Sequence, residues 1–262
     1  MRHAFGTFSG ILFCLAVLGC GPLDETPAIG APQDVTLLTS DAAQLAATLY
    51  PTARENPPGL VLVHDRLGSR ALFAAFATRA QREGYLSIAV ELRGHGGSTA
   101  PNGTPLNPRA FSREDWMRCL SDVEAAKQAL LDQGADPDNL AMAGAGLGAN
   151  LVLQYASRDE DVQAIVLLSP GLSYEGIEAQ EALAVYGKRP ALLVTSTGDS
   201  YSASTCEELH AKAAGQCELR EYEGAAHGVD LLDAVEVCTG QIFLWLEAIV
   251  GHGGHSEDSG NP

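Results

Sequence analysis

Residues 139–152 read Asn139-Leu-Ala-Met-Ala-Gly144-Ala-Gly146-Leu-Gly148-Ala-Asn-Leu-Val, and this stretch decides the fold. Its apolar beginning, 139–144, predicts a buried strand, and 147–157 predicts a helix. The glycines between them suit a sharp turn in which strand and helix approach closely. Two interpretations fit such a turn. It is either an elbow of the form Gly-x-nucleophile-x-Gly, which lifts a nucleophile above the sheet, or a phosphate-binding turn at a helix N-terminus.

Apolar runs and amphipathic segments alternate on both sides of this turn. A β-hairpin is predicted first, followed by buried strands separated by helices. The capping box Ser112-Arg-Glu-Asp115 opens one of these helices. The predicted strands are 35–39, 45–50, 59–64, 85–92, 139–144, 162–168, 190–196 and 218–222, and the other helices are 72–83, 115–131, 203–214 and 232–250. The pattern predicts an α/β fold with a mostly parallel, doubly wound sheet and helices on both faces.

Two polar residues follow the ends of the last two predicted strands. Asp199 comes directly after strand 190–196, and His227, in Gly-Ala-Ala-His-Gly, comes after strand 218–222. A carboxylate that orients an imidazole, with the imidazole acting as a base, is the arrangement that activates a nucleophile. The order of elbow, acid and His along the chain favours the elbow interpretation. We therefore predict Asp199 as the acid and His227 as the base.

The chain resembles α/β-hydrolases of the dienelactone-hydrolase or small serine-esterase type over about residues 35–250. The resemblance rests on His64-Asp-Arg-Leu-Gly-Ser, Glu91-Leu-Arg-Gly-His-Gly, the glycine-rich elbow, Asp199 and His227. It implies an α/β-hydrolase fold without a lid domain and hydrolysis of esters or lactones without a cofactor. It also implies an oxyanion hole formed by the backbone N–H groups of Leu147 and Arg66. We expect His64 to support its loop, and we expect His95 to have no catalytic role.

Gly146 departs from this resemblance, because it stands where the nucleophilic serine is expected. Without a hydroxyl group, no acyl-enzyme can form at this position. Three hypotheses remain: a catalytically impaired protein that binds an ester-like or lipid-like ligand or a partner, an active carboxylic-ester or dienelactone-type hydrolase, and a structural protein with a collapsed pocket. The first is favoured. The second would need water or another serine to act with His227 and Asp199, and the candidate serines are Ser169, Ser196, Ser200 and Ser202.

The N-terminus combines Arg2, a short apolar run and the box Val17-Leu-Gly-Cys20. This pattern resembles a bacterial lipoprotein signal, which implies lipid attachment to Cys20, and an ordinary signal peptide is the alternative. The resulting domain prediction is a signal peptide at 1–19, a lipidated tether at 20–33, the hydrolase domain at 34–250 and a disordered tail at 251–262. We expect a bacterial cell-envelope protein, anchored in the outer membrane and facing the periplasm or the surface.

Net charge limits the range of partners. The formal charge of −17 excludes nucleic acid as an expected partner, and the membrane is expected to be contacted through the lipid on Cys20. We predict no cofactor, because the turn at 144–148 lacks the P-loop lysine. We also predict no metal site, because His252 and His255 lie in a tail that is expected to be solvated. The sequence identifies no protein partner.

Cysteine content predicts disulfides in an exported chain. The chain has six cysteines, and four remain after Cys14 of the predicted signal peptide and Cys20 are set aside. We predict the pairs Cys206–Cys217 and Cys119–Cys238. The alternative is that all four are buried free thiols.

Overall fold

The computed structural model describes Met1 and residues 29–251. The predicted signal peptide after Met1, Cys20, most of the tether and the tail from residue 252 lie outside the described residues. Within the described residues, no helix is both long and apolar enough to span a membrane.

Ten strands and eight α-helices make up the described chain. The strands are β1 (Gln33–Leu38), β2 (Gln44–Tyr50), β3 (Pro58–Val63), β4 (Leu86–Val90), β5 (Asp136–Ala145), β6 (Val162–Leu168), β7 (Ser173–Tyr174), β8 (Ile177–Glu178), β9 (Ala191–Ser196) and β10 (Cys217–Tyr222). The helices are α1 (Ala74–Arg82), α2 (Arg113–Arg118), α3 (Leu120–Asp132), α4 (Leu147–Ala156), α5 (Gln180–Tyr186), α6 (Ser200–Lys212), α7 (Asp230–Ala234) and α8 (Cys238–Leu246). Short 3-10 helices occur at Arg70–Phe73, Pro101–Gly103 and Pro108–Ala110, and a π-helical turn follows α8 at Glu247–Gly251.

The central sheet has eight strands in the order β1-β2-β4-β3-β5-β6-β9-β10. Strand β2 pairs antiparallel with both of its neighbours, and every other neighbouring pair in this sheet is parallel. Strand β3 lies between β4 and β5, which both follow it in the chain, so the order of the strands reverses at β3. Ligand sites in open α/β sheets form at such a reversal, beyond the carboxyl ends of the strands. The predicted mostly parallel sheet is confirmed.

Side chains of the buried strands alternate between two cores. On β3, Val61 and Val63 pack on one face of the sheet, whereas Leu60 and Leu62 pack on the other. The first core includes residues of α2 to α6, and the second includes residues of α1, α7 and α8. Helices therefore cover both faces of the sheet, as predicted for a doubly wound fold.

Two predicted helices are wrong in their extent. The helix predicted at 115–131 is divided into α2 and α3 at Cys119, although its capping box is formed by Ser112 and Asp115. The helix predicted at 232–250 is interrupted because Val235 adopts an extended conformation, with φ −117° and ψ 101°. Between β6 and β9 the chain forms only the hairpin β7–β8 and the seven-residue helix α5, so no lid domain is inserted there.

The predicted disulfides are wrong, because Cys119, Cys206, Cys217 and Cys238 are all free thiols. Cys119 and Cys238 belong to the cores on opposite faces of the sheet, which keeps them apart. Cys206 in α6 and Cys217 at the start of β10 pack against the same core as small apolar side chains. Burial raises the pKa of Cys217 and of Cys238 to about 11, so both thiols are protonated at neutral pH.

A buried ion pair fixes the turn that follows β4. Arg93 Nη2 lies 2.7 Å from Asp122 Oδ1, and its Nη1 lies 2.7 Å from Asp41 Oδ2. Asp122 is fully buried, so Arg93 neutralises a carboxylate that water cannot reach. This turn carries His95, which contacts one of the loops of the candidate site.

Replacing Arg93 with Ala should lower the free energy of unfolding by about 3–5 kcal/mol, because it leaves the Asp122 carboxylate buried and unpaired. Arg118→Ala is the matched control, since Arg118 forms an exposed ion pair with Asp115 that is worth about 0–1 kcal/mol. Urea unfolding of both variants measures the difference. Equal losses of unfolding free energy in the two variants would show that the buried ion pair stabilises the fold no more than the exposed one.

Candidate active site

Gly146 forms the sharp turn between β5 and α4, with φ 52° and ψ −121°. L-residues rarely adopt this positive φ, and glycine adopts it without steric cost. The neighbouring Gly148 is required for a different reason: a Cβ atom there would overlap the carbonyl oxygens of Val63 and His64. The close contact between α4 and the end of β3 brings two loops together at the carboxyl edge of the sheet.

The structure brings Asp199 and His227 together at the same edge. Asp199 Oδ2 lies 2.6 Å from His227 Nδ1, and their loops are joined by a hydrogen bond of 2.6 Å from Gly198 N to Gly224 O. Because a carboxylate only accepts hydrogen bonds, the proton is assigned to Nδ1. Nε2 of His227 is then free to take a proton from a group at the elbow.

Both predicted oxyanion-hole donors point to one place, and that place is filled by Asp65. The backbone N–H of Leu147 donates to Asp65 Oδ1 at 2.8 Å, and the backbone N–H of Arg66 donates to the same oxygen at 2.7 Å. This role of Asp65 was not predicted from the sequence, in which the residue appears only as part of the motif after His64. A signal existed, since lipases and esterases with an HGGG-type motif carry glycine after the His of this loop, and this chain has Asp65 after His64.

The Asp65 carboxylate also takes the space that a side chain at position 146 would need. A Cβ atom built on Gly146 would overlap Asp65 Cγ and Oδ1, and it would lie 2.7 Å from Oδ2. Asp65 Oδ2 lies 3.8 Å from His227 Nε2. The His227 imidazole therefore lies between two carboxylates, those of Asp199 and Asp65. The elbow itself carries no hydroxyl group.

Two histidines hold the loop that carries Asp65. His64 is fully buried, its Nδ1 lies 2.7 Å from the carbonyl oxygen of Asp65, and its Nε2 accepts a hydrogen bond of 3.1 Å from Leu92 N. Burial lowers the pKa of His64 to about 4, so its ring is neutral at neutral pH. His95 Nε2 lies 2.6 Å from the carbonyl oxygen of Arg66. Both rings thus hold the backbone of the loop that carries Asp65 in place, through its carbonyl oxygens.

The serines considered as replacements are occupied elsewhere or lie apart from His227. Ser169 Oγ accepts the N–H of Gly228 at 2.9 Å, Ser196 Oγ donates to Ala226 O at 2.7 Å, and Ser202 Oγ contacts the Tyr174 hydroxyl at 3.2 Å. Ser200 is exposed at the start of α6. Within residues 29–251, no hydrogen bond joins any of these four hydroxyls to the His227 ring.

A cleft of about 260 Å³ opens beside Asp65 and His227. Its apolar wall includes Leu67, Leu72 and Val229. A larger cleft of about 390 Å³ lies between β1 and α3. We place the candidate site in the smaller one, because it contains the imidazole, the carboxylate and the sheet edge at which α/β folds bind ligands.

The hairpin β7–β8 forms another side of the site. The Tyr174 ring stands edge-on to the His227 ring, with 6.4 Å between the ring centroids. Glu175 Oε1 lies 2.5 Å from Arg66 Nε, an ion pair that is close in distance but not aligned as a hydrogen bond. This pair links the hairpin to the loop that carries Asp65. Neither Tyr174 nor Glu175 was predicted from the sequence, since a two-residue strand gives no periodic signal.

Metal binding finds no support in the part of the chain that is described. Among residues 29–251, no three His, Cys, Asp or Glu side chains are grouped so as to hold a metal ion. His252 and His255 lie outside the described residues.

Comparison with known proteins places the chain among hydrolases. The family model described as "Serine aminopeptidase, S33" matches residues 55–189, about half of the chain. An esterase of Pyrococcus furiosus superposes with a TM-score of 0.68 at 16% identity, covering 84% of this chain and 94% of that one. A dienelactone hydrolase of Anabaena variabilis gives 0.66 at 18% identity, covering 84% of this chain and 99% of that one. An α/β-hydrolase of Penicillium gives 0.70 at 14% identity, covering 85% of this chain and all of that one. No curated protein sequence matches at a significant level.

Replacing Gly146 with Ala should destabilise the fold by about 1–3 kcal/mol through backbone strain, with an added cost from the overlap with Asp65. The double variant Gly146→Ala/Asp65→Gly should lose less than the sum of the two single variants, because the second change removes the overlap. A double-mutant cycle measured by urea unfolding gives this coupling. Strictly additive losses would show that the Asp65 carboxylate is not at the elbow.

Proposed function

The chain belongs to the S33 serine aminopeptidase family of α/β-hydrolases, and from this we propose a catalytically impaired member that keeps the site for binding a ligand. One observation carries the proposal. The oxyanion hole, which an acyl substrate needs, is filled by Asp65 of the chain itself, and position 146 offers no hydroxyl group. Serine-type acyl transfer thus lacks both its nucleophile and a free place for the substrate carbonyl oxygen.

The proposed ligand is ester-like or lipid-like. Leu67 and Leu72 are about half exposed beside the cleft, so an apolar chain can lie against them. His227 offers Nε2 to a polar group at the other end. A cleft of about 260 Å³ is slightly smaller than the usual range of about 300–1,000 Å³ for ligand pockets, which favours a small ligand or one short segment of a larger one. A partner protein that inserts a side chain here remains the other form of the proposal.

The alternative, an active ester hydrolase, faces a geometric obstacle. Water activated by His227 and Asp199 could attack an ester, but the carbonyl oxygen would have to displace Asp65 from the two N–H donors. The Asp65 carboxylate accepts these two hydrogen bonds at 2.7 and 2.8 Å. It competes with the substrate carbonyl oxygen for the same donors at a high effective concentration, because it belongs to the same chain. We therefore favour the binding function.

We also propose that the protein is a lipoprotein of the bacterial cell envelope, placed at the outer membrane by acyl chains on Cys20. The support is the sequence alone: the apolar run that ends in Val17-Leu-Gly-Cys20. More than one acyl chain would be needed for stable anchoring, since a single chain binds membranes only marginally.

The wild-type chain should hydrolyse p-nitrophenyl acetate and butyrate at the background rate, and Gly146→Ser alone should do the same. The reason is steric, because the serine side chain meets the Asp65 carboxylate. The double variant Gly146→Ser/Asp65→Gly frees both the hole and the space above the elbow. It should hydrolyse both esters, measured as release of p-nitrophenol by the full chain.

Adding His227→Ala to that double variant is the control. It should lower the rate by about 10²–10⁴-fold, the usual contribution of a general base. Ester hydrolysis by the wild type that His227→Ala abolishes would overturn the proposal of lost catalysis. An inactive double variant that still folds would show that these two substitutions are not sufficient to give the site ester-hydrolase activity.

Cys20→Ala should abolish incorporation of labelled palmitate when the chain is expressed in a bacterial host, and the protein should leave the membrane fraction. Cys14→Ala is the matched control, because Cys14 lies within the predicted signal peptide and should not change labelling. Unchanged membrane association of Cys20→Ala, with no label in the wild type, would contradict lipid anchoring.

A further inference from the structure

Strand β1 is one edge of the central sheet, and its only hydrogen-bonded neighbour in that sheet is β2. Thr36 of β1 lies opposite Ala46 of β2. Ala46 turns both of its backbone groups away from β1, since its N–H donates to Ser98 Oγ and its carbonyl oxygen accepts from Glu91 N, each at 2.9 Å. Antiparallel strands alternate between pairs that exchange hydrogen bonds and pairs that do not. Thr36 therefore points its own N–H and C=O outward from the sheet, as does every second residue of β1 on either side of it.

The sequence of β1 does little to protect this edge against another strand. Edge strands are usually blunted by charged side chains, proline or a bulge. The opposite edge, β10, has three charged side chains among its six residues, Glu218, Arg220 and Glu221. Strand β1 has one among six, Asp34 near its start, and Leu38 at its end is 67% exposed. All six residues of β1 pair with β2 in one continuous register, so β1 is a regular and open edge.

A cleft of about 390 Å³ runs beside this edge, between β1 and α3. Val35 and Leu37 of β1 lie along one wall, and both pack with the core on the α3 side of the sheet. The wall formed by α3 includes two small side chains, Ala125 and Ala129, one helical turn apart. The cleft is thus open where a larger side chain on α3 would fill it, and it lies next to the unpaired backbone groups of β1.

One end of this cleft is negatively charged. Asp132 lines it, and among the described residues no Lys or Arg does so. Helix α3 begins near Asp122, which is bound to the turn after β4, and it ends just before β5 begins. Asp132, in the last turn of α3, therefore lies at the end of the cleft where β1 starts. Together with the net charge of −17, this carboxylate attracts a basic partner and repels an acidic one.

We propose that β1 and this cleft bind an extended, basic segment of a partner protein as a ninth strand, antiparallel to β1. The backbone of the segment pairs with the outward N–H and C=O groups of Thr36 and its second neighbours. Because residues opposite each other in a sheet share a face, the side chains opposite Leu37 and Val35 enter the cleft. The side chain opposite Gln33 lies at the Asp132 end. The segment recognised is therefore apolar–x–apolar–x–basic.

The chain's own terminal segments do not have this pattern. Residues 20–28 contain two prolines, which lack an N–H, and two acidic residues, with no Lys or Arg. Residues 252–262 also contain two acidic residues, and they have no Val, Leu, Ile, Met, Phe, Tyr or Trp to enter the cleft. A second copy of the chain would bring a like charge of −17 to the edge. Charge and side-chain size therefore favour a different protein as the partner.

The surface is independent of the site described above. Its cleft shares no lining residue with the cleft beside Asp65 and His227. Failure of this proposal would leave the proposed function standing, and ester hydrolysis by the wild type would leave this proposal standing.

The experiment titrates the full chain with the acetylated peptide Ser-Leu-Thr-Val-Thr-Lys-Lys, followed by isothermal titration calorimetry. The wild type should bind it saturably. Thr36→Pro removes one outward N–H and leaves the ladder to β2 intact, since proline is tolerated where the N–H of an edge strand faces solvent. It should weaken binding about tenfold, as for one lost hydrogen bond. Thr36→Val keeps the N–H and is the matched control, which should bind like the wild type.

Two modified peptides test the backbone pairing directly. A methyl group on the nitrogen of the first Thr removes the N–H that meets Thr36 and should abolish binding. The same methyl group on Val, whose N–H points away from β1, should be tolerated.

Side-chain recognition is tested from both partners. Ala129→Leu fills the cleft and should abolish binding. A peptide with Glu in place of both Lys should bind the wild type more weakly than the original peptide, and it should bind Asp132→Lys better than it binds the wild type.

Three results would overturn the proposal. One is equal binding of the two methylated peptides, or unchanged binding by Thr36→Pro. Another is the absence of saturable binding by the folded wild type at millimolar peptide. The third is a wild-type dimer, seen by analytical ultracentrifugation, that Thr36→Pro converts to a monomer, because a second copy of the chain would then cover this edge.

Discussion

The site depends on the close contact between the N-terminus of α4 and the end of β3. Gly148 permits this contact, because any side chain there would meet the backbone of Val63 and His64. The contact sets the N–H of Leu147 beside the N–H of Arg66, and the two converge on one oxygen of Asp65. The buried histidines and the Arg93 ion pair act on the same loops from behind. The sheet thus presents a rigid pair of donors that any negatively charged oxygen could use.

In this protein the oxygen comes from Asp65, and the glycine at position 146 leaves room for its carboxylate. A Cβ atom at position 146 would overlap the Asp65 carboxylate where it now lies. The second oxygen of Asp65 faces His227 at 3.8 Å, and Asp65 lines the cleft beside it, so a ligand in the cleft would meet this oxygen.

Much of this was accessible from the sequence, because parallel strands give continuous apolar runs and site residues follow their ends. The elbow, Asp199 and His227 were found in this way, and the structure brings them to one edge. The motif shows an aspartate where glycine is usual, but the contact of Asp65 with the elbow was not predicted, because it depends on the register of β3 against β5. The disulfides were predicted from an even count of cysteines, but the count carries no information on which face of the sheet each thiol meets. The division of the last helix at Val235 also escaped the apolar periodicity, which continues across it.

The most direct test of the account concerns the two hydrogen bonds to Asp65. Amide proton and nitrogen chemical shifts, with hydrogen-exchange rates, should be measured for Leu147 and Arg66 in the wild type and in Asp65→Ala. We expect both amide protons to lie downfield in the wild type, as in short hydrogen bonds to a carboxylate, and to move upfield and exchange faster in the variant. Unchanged shifts and exchange at both amides would show that the hole is not occupied by Asp65, and the account of the site would fail.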